Sequence, residues 1–295
     1  MFEKILVPLD GSENAARVLP WVRIYAARSE TSVVLVQALA KVYPLEGMPF
    51  GARAHVASEY LERVRQELQA DGVDASIRLP QNAAAESIVR TAEQEQCTLI
   101  LMTTRGASKV VRWLIGGVTE QVIRLSPIPV LVIRSQVLAG KEPCPRRLLV
   151  PQDGSPRARR VLAWAERLAR FHGVPLEILH VEAPHPRGFR KTPSRREASP
   201  KLAHWCSLLR RRGIDATYRL TRGDPASEIL RDSLPSDLLV MTTHGYGGLK
   251  HVLLGSVAEK VIHGSDAPVF IYKHRSPRAA GTRSLVRDGN GSRRD

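Results

Sequence analysis

The sequence predicts an α/β protein built as two tandem open, mainly parallel five-stranded sheets, each in the strand order 3-2-1-4-5 with helices on both faces. Three observations predict it. Blocks of residues recur at a nearly constant separation. Each half alternates short apolar runs with segments of helical spacing. The most polar, glycine-bearing turns of each half follow its first and fourth apolar runs.

The repeat is the strongest of the three. Ile5-Leu6-Val7-Pro8-Leu9-Asp10-Gly11-Ser12 returns as Leu148-Leu149-Val150-Pro151-Gln152-Asp153-Gly154-Ser155, 143 residues on. Leu99 to Gly106 returns as Leu238 to Gly245, and Leu114 to Glu120 as Leu253 to Glu259, both at a separation of 139. One short net deletion between the blocks accounts for the difference. Duplication at domain scale, in a chain of 295 residues, leaves room for two cores of ordinary size.

The elements follow in order. Ile5–Val7 and Leu148–Val150 are short apolar runs ended by a turn, as strands buried on both faces should be. After Asp153-Gly154-Ser155, the apolar residues Val161, Leu162, Ala165, Leu168 and Ala169 keep helical spacing. Val33–Val36 and Leu176–Leu179 read as second strands, Tyr60–Leu68 and Leu202–Leu209 as second helices, Ile77–Leu79 and Tyr218–Leu220 as third strands. Glu86–Glu95 and Ala226–Leu234 are third helices. The runs around Met102 and Met241 are fourth strands, and Val130–Ile133 and Val269–Tyr272 fifth strands. Strands alternating with helices predict parallel pairing. The expected organisation is domain 1 over 1–135, a linker over 136–146 (Gly140, Pro143, Pro145), domain 2 over 147–273, and a disordered basic tail over 274–295.

Composition narrows the class. Hydrophobic residues at 43% and charged residues at 25% fit a globular chain. No apolar run approaches the roughly 20 residues that cross a bilayer. The N-terminal residues lack the apolar core of a signal peptide, so a cytoplasmic protein is expected. Cys97, Cys144 and Cys206 are scattered without a CxxC pair, which indicates neither a disulfide framework nor zinc. Much of the +15 formal charge sits in two stretches, Arg187 to Lys201 and Arg275 to Arg294. Neither interleaves aromatics that could stack bases. Solvated flexible segments are the expected reading, and nucleic acid is disfavoured as a partner.

In an open parallel sheet, ligands bind beyond the carboxyl ends of the strands, at the point where strand order reverses. Here that crevice lies between the turns after strands one and four. Asp10 and Asp153 stand at the first turn, either as ligand contacts or as helix caps, with Ser12 and Ser155 as rival caps. Gly106 and Gly245 end the Thr-Thr-x-Gly turn, where a missing Cβ permits close approach to a ligand or simply a positive φ. Gly255-Ser256 opens a helix whose free N–H groups favour an anion; a plain serine cap is the competing reading. There is no P-loop, and Gly245-Tyr246-Gly247-Gly248 does not complete GxGxxG. Single histidines such as His180 and His244 have no spaced partner resembling a metal site.

These blocks together resemble the universal stress protein family, over about residues 1–135 and 145–273. Nucleotide-binding members carry Gly-x2-Gly-x9-Gly-Ser/Thr after the fourth strand. The second half reads Thr242-x2-Gly245-x9-Gly255-Ser256 and departs only at the first glycine; the first reads Thr103-x2-Gly106-x9-Gly116-Gly117 and also lacks the hydroxyl. The family's aspartate matches Asp10 and Asp153, and its apolar residue beside the adenine matches Ala38 and Val181. Its Gly-x-Pro survives as Gly223-Asp224-Pro225 but becomes Asn82-Ala83-Ala84 in the first half. The resemblance implies ATP or a related adenine nucleotide, with a divalent cation such as Mg on the phosphates. It implies a better-kept site of Pro151, Asp153, Val181, Thr242, Gly245, Gly255, Ser256 and Val257. A degenerate one would comprise Pro8, Asp10, Ala38, Thr103, Gly106, Gly116, Gly117 and Val118. It further implies pairing of the fifth-strand edges into an intramolecular pseudo-dimer, with a homodimer as a further possibility. The expected role is a nucleotide-binding stress sensor or regulator with at most weak ATPase or self-phosphorylating activity. The alternative is a structural, partner-binding stress module without nucleotide.

Overall fold

The structure, a computed structural model, describes residues 1–27, 30–39, 49–104, 117–134, 144–184, 193–243 and 254–273. The first repeat runs β1 (Lys4–Pro8), α1 (Glu13–Ala16), α2 (Leu19–Ala27), β2 (Ser32–Val36), α3 (Phe50–Ala70), β3 (Ala75–Arg78), α4 (Ala84–Gln94), β4 (Leu99–Thr103), α5 (Gly117–Leu125) and β5 (Val130–Ile133). The second runs β6 (Arg147–Pro151), α6 (Pro156–His172), β7 (Leu176–Glu182), α7 (Arg195–Arg211), β8 (Ala216–Arg222), α8 (Pro225–Asp232), β9 (Asp237–Thr242), α9 (Ser256–Gly264) and β10 (Val269–Tyr272). Most of the expected linker, and all of residues 274–295, lie outside the described residues.

The strands form one ten-stranded sheet in the order β3-β2-β1-β4-β5-β10-β9-β6-β7-β8. Each half therefore has the expected order 3-2-1-4-5. Neighbours within a half are parallel. The halves join where β10 runs antiparallel to β5, with Val269 opposite Val132 and Ile271 opposite Val130. Each fifth strand covers the other's edge, which would otherwise offer unpaired N–H and C=O groups to another chain. The expected pseudo-dimer is thus a single continuous sheet.

Alternation along the strands feeds two cores. Ile5, Val7, Val33 and Leu35 face the side covered by α2 and α3; in the second repeat Leu148, Val150, Leu176 and Ile178 face the same side under α6 and α7. Leu6, Val34, Leu149 and Leu179 face the opposite side, under α4, α5, α8 and α9. Across the boundary the first core is aromatic. Phe2 stacks on Trp164 at 5.8 Å, Tyr25 on Phe171 at 5.1 Å, and the Tyr25 hydroxyl lies 3.1 Å from His172 Nε2.

Three local features differ from the sequence reading or add to it. In the second repeat the helix after the first turn is continuous, but in the first it breaks into α1 and α2 at Arg17–Val18. Pro20 of α2 has no N–H to return to Ala16 and cannot continue the ladder. The second helices start earlier than expected, at Phe50 and Arg195 instead of Tyr60 and Leu202. Arg195, Arg196 and Lys201, expected in a solvated flexible segment, are helical. A capping box starts α7: Ser194 Oγ accepts from the Glu197 N–H, and Glu197 accepts from the Ser194 N–H.

Candidate functional site

Pairing of β1 with β4, and of β6 with β9, brings the ends of the first and fourth strands of each repeat side by side. The two crevices are built on the same turn. Gly11 and Gly154 sit at φ +81° and +83°, a left-handed backbone that glycine adopts without strain. That turn sets the preceding carboxylate against the following serine. Asp10 Oδ1 accepts from the Ser12 N–H at 3.1 Å and from its hydroxyl at 2.6 Å; Asp153 Oδ1 accepts from the Ser155 N–H at 2.9 Å. The serines are the caps: Ser12 Oγ takes the Ala15 N–H and Ser155 Oγ the Ala158 N–H. The reading of the aspartates as helix caps is thereby excluded. They are turn residues, each presenting a carboxylate at the crevice, Asp10 exposed and Asp153 half-buried.

The other wall differs between repeats. In the second, Gly255 is the N-cap of α9 and makes no side-chain capping bond. Its own N–H is spent on the Thr243 carbonyl at 2.8 Å, which ties the helix start to the end of β9. Ser256 is the first helical residue and is exposed, so the plain serine-cap reading is also excluded. Gly255 has no side chain to cap the first-turn N–H groups of α9, and helix N-termini of this kind favour an anion. In the first repeat α5 opens at Gly117, with Val118 41% exposed. Thr119 Oγ1 donates to the Thr103 carbonyl at 3.1 Å, a side-chain tie between α5 and β4.

The remaining candidates are distributed as follows. Pro8 and Pro151 end β1 and β6, Thr103 and Thr242 end β4 and β9, Thr103 buried and Thr242 half-buried. Val181, in β7, is buried on the α8 side, and Val257 is packed against the same core. Ala38 follows β2 and is half-buried. Gly106, Gly116, Gly245 and His244 lie outside the described residues. The structure therefore brings together the Asp-Gly-Ser turn, the fourth-strand end and the last helix start of each repeat.

Two residues that sequence reasoning passed over or set aside shape these crevices. His180 is wholly buried, with Nδ1 2.7 Å from the Gln152 carbonyl and Nε2 2.9 Å from the Pro193 carbonyl. It pins the residue between Pro151 and Asp153 to the start of α7, and its single occurrence gave no sign of that. Tyr60 of α3 brings a buried hydroxyl that has no hydrogen-bond partner among the described residues. Burial, reinforced by the nearby Asp10 carboxylate, pushes its ionisation upward. Buried Leu61 and Leu68 of α3 correspond to Leu202 and Leu209 of α7, 141 residues on, which places Lys201 at the position of Tyr60, a difference legible only once the helices are aligned. Among the described residues no group of three or more His, Cys, Asp and Glu side chains could hold a metal ion. No described helix is long and apolar enough to cross a membrane.

Comparison with known proteins matches the universal stress protein family model to residues 1–134 and again to 145–273. Universal stress protein Rv2005c of Mycobacterium tuberculosis strain H37Rv is 27% identical over 282 residues, covering 90% of this chain and 96% of that protein. A Thermus aquaticus universal stress protein is 34% identical over 136 residues, 43% of this chain and 98% of its own length. Among solved structures, a universal stress protein from Archaeoglobus fulgidus superposes with a TM-score of 0.74 at 25% identity, over 92% of this chain and 98% of that one. A putative universal stress protein from Pseudomonas aeruginosa shares the fold, with a TM-score of 0.68 at 16% identity over 92% and 93%. With the family model matching each half and the two halves closing one sheet, the chain belongs to the universal stress protein family as a tandem of two repeats.

Proposed function

We propose that this protein binds ATP or a related adenine nucleotide in the crevice of its second repeat and acts as a nucleotide-responsive regulator in a stress response. The observation that carries the reading is the start of α9: its N-cap Gly255 brings no side chain to the first-turn N–H groups, and Ser256 stands exposed as the first helical residue. A phosphate chain fits that chemistry, since main-chain N–H groups and a hydroxyl all donate and the helix dipole favours negative charge. Gly255, Ser256 and Thr242 would hold the phosphates, Val181 and Val257 would meet the base, and Asp153 would contact the remainder from the opposite wall. Bound nucleotide would supply the phosphate charge, and Mg bound with it would offset part of that charge. The chain's own residues bind and orient it. Among the described residues no set of side chains positions a nucleophile for phosphoryl transfer, and hydrolysis or self-phosphorylation is expected to be slow at most.

The first crevice favours the structural reading. Gly117 replaces the serine, and Thr119 is spent on holding α5 to β4. The test begins with denaturing the purified protein and analysing the supernatant for adenine nucleotide, then titrating ATP calorimetrically. Ser256→Ala should weaken ATP binding about tenfold, the loss of one hydrogen bond to a charged group. Gly117→Ser should leave that affinity unchanged. Failure of the wild type to bind any adenine nucleotide, or undiminished binding by Ser256→Ala, overturns the proposal.

A further inference from the structure

The two repeats share a fold but not a charge distribution. One side of the sheet carries α2 and α3 of the first repeat and α6 and α7 of the second. In sequence, α2 and α3 together have four basic and three acidic residues, whereas α6 and α7 have ten basic and two acidic. Neither acid offsets the excess. Glu166 is shared between Arg170 and Arg212, and Glu197 is committed to the capping box at Ser194. Six cations, Arg159, Arg195, Arg196, Lys201, Arg210 and Arg211, are exposed and have no carboxylate partner among the described residues.

The scaffold under these charges is ordered. Both helices have 17 residues and reach the same core through Val161 and Leu168 on α6 and Leu202 and Leu209 on α7. Arg170 donates to the Arg212 carbonyl, which ties the ends of the helices side by side. Two helices of that length make a plate about 25 Å long and two helix diameters wide. Like charges held this densely cost self-repulsion, which a polyanion relieves on binding.

We infer that the α6–α7 face is a docking surface for the phosphate backbone of double-stranded nucleic acid, read without regard to base sequence. Over about 25 Å, at one charge per ~1.7 Å of axis, a duplex presents a dense row of phosphates to such a plate. Nine of the ten cations are arginines, whose planar forks match phosphate oxygens two at a time. An anionic membrane is a poorer fit, because Leu208 is the one large apolar side chain of these helices exposed among the described residues, leaving nothing to insert. An acidic protein is a poorer fit as well. Its hot spots would need aromatic anchors, and Trp164 and Trp205 are instead packed against the core. Phosphate contacts position a protein without specifying sequence, as befits a face with no side chain arranged to read base edges.

The test uses the full chain and a labelled random-sequence duplex of about 25 base pairs, followed by fluorescence anisotropy at about 50 and 200 mM salt. Binding should weaken at least tenfold across that range. The triple variant R196E/K201E/R211E should bind at least tenfold more weakly at low salt, with a salt slope shallower by about 2 to 3. The neutral variant R196Q/K201Q/R211Q should fall between it and wild type, and far-UV circular dichroism should show both folded. Arg63→Glu, on the balanced α3 face, should bind within twofold of wild type. The proposal is overturned if wild type does not bind duplex at low salt, or if the glutamate triple binds as wild type does. It is equally overturned if phosphatidylserine vesicles or polyglutamate compete as well as unlabelled duplex.

Discussion

Gly223 and Ser256 differ in how far the structure accounts for a single residue. Gly223 has φ +157°, and a Cβ there would come within 2.8 Å of Glu228 Cγ and Oε1. Glu228 cannot swing away freely, since it accepts from Thr221 Oγ1 at 2.9 Å and from Arg231. Asp224 caps α8 through the Ser227 N–H at 3.0 Å, and Pro225 takes the first helical position, where a missing N–H costs nothing. Hydrogen bonds from the Ser227 backbone and hydroxyl hold the Asp224 carboxyl below its ordinary range. The Gly-Asp-Pro triplet thus has a sufficient structural role, and its counterpart Ala83 starts α4 with no side-chain cap. Asp224→Ala should cost about 1 kcal/mol in urea unfolding, and Ala83→Asp should gain a comparable amount. Ser256 behaves oppositely. It neither caps nor packs, so Ser256→Ala should change stability by less than about 0.5 kcal/mol while weakening ATP. A large stability loss in Ser256→Ala would return that serine to the structure.

At the scale of elements, the junction of repeats reveals a reciprocal arrangement. Arg134, directly after β5, crosses to the end of α9, donating to the Ser265 carbonyl and Asp266 carboxylate, each at 2.8 Å. Lys273, directly after β10, crosses to the end of α5 and donates to the Arg124 carbonyl. Each cation meets the negative end of the other repeat's last helix, where it is favourable both as donor and as charge. Arg134 is only 11% exposed, so Arg134→Ala should destabilise by about 2 kcal/mol and Lys273→Ala by less. An Arg134→Ala midpoint equal to wild type would remove the argument. None of this could be read from the sequence, because 134 and 273 are ordinary basic residues until β5 and β10 are laid antiparallel. The strands themselves were legible, since apolar runs such as Leu99–Met102 are buried on both faces and bounded by turns. The helix starts were not. The opening turns of α3 (Phe50 to Val56) and α7 (Arg195 to Lys201) lack an apolar stripe, and the signal at α7 was the capping pair Ser194 and Glu197. In the candidate site, Asp153, Gly255 and Ser256 were proposed from motif spacing, whereas His180 and Tyr60 act through tertiary neighbours that no spacing encodes.

For the whole molecule, the continuous sheet makes the stability of one repeat a property of both, and the amino ends of β6 to β9 are where pH should enter. There Arg147 binds Asp237 through two nitrogens, at 2.5 and 3.2 Å, and Glu177 at 2.7 Å; Arg219 binds Glu177 and Asp232. Among the described residues the first repeat has only Glu95 between Lys4 and Arg78 at the same level. Burial alone would raise the Glu177 carboxyl, but hydrogen bonds from Arg219 and Arg147 outweigh it and hold the group below its ordinary range. Burial does raise Asp232, against the pull of Arg219, and its Oδ2 has no hydrogen-bond partner among the described residues. The two act with opposite sign. A carboxyl lowered by folding contributes stability that is complete above the unfolded glutamate value of about 4.3 and is lost as pH falls through the folded value. A raised carboxyl costs stability above the unfolded aspartate value of about 3.9 and nothing below the range of that shift. Glu177→Gln should therefore lower the stability of the full chain by about 1 kcal/mol at pH 7. That deficit should shrink toward zero as the pH drops below about 4. Asp232→Asn should be relatively more favourable at pH 7 than at pH 3. Urea unfolding of the three proteins from pH 7 down to pH 3 measures both differences, and a Glu177→Gln deficit that does not change with pH would show that the arginines hold shape here and not charge.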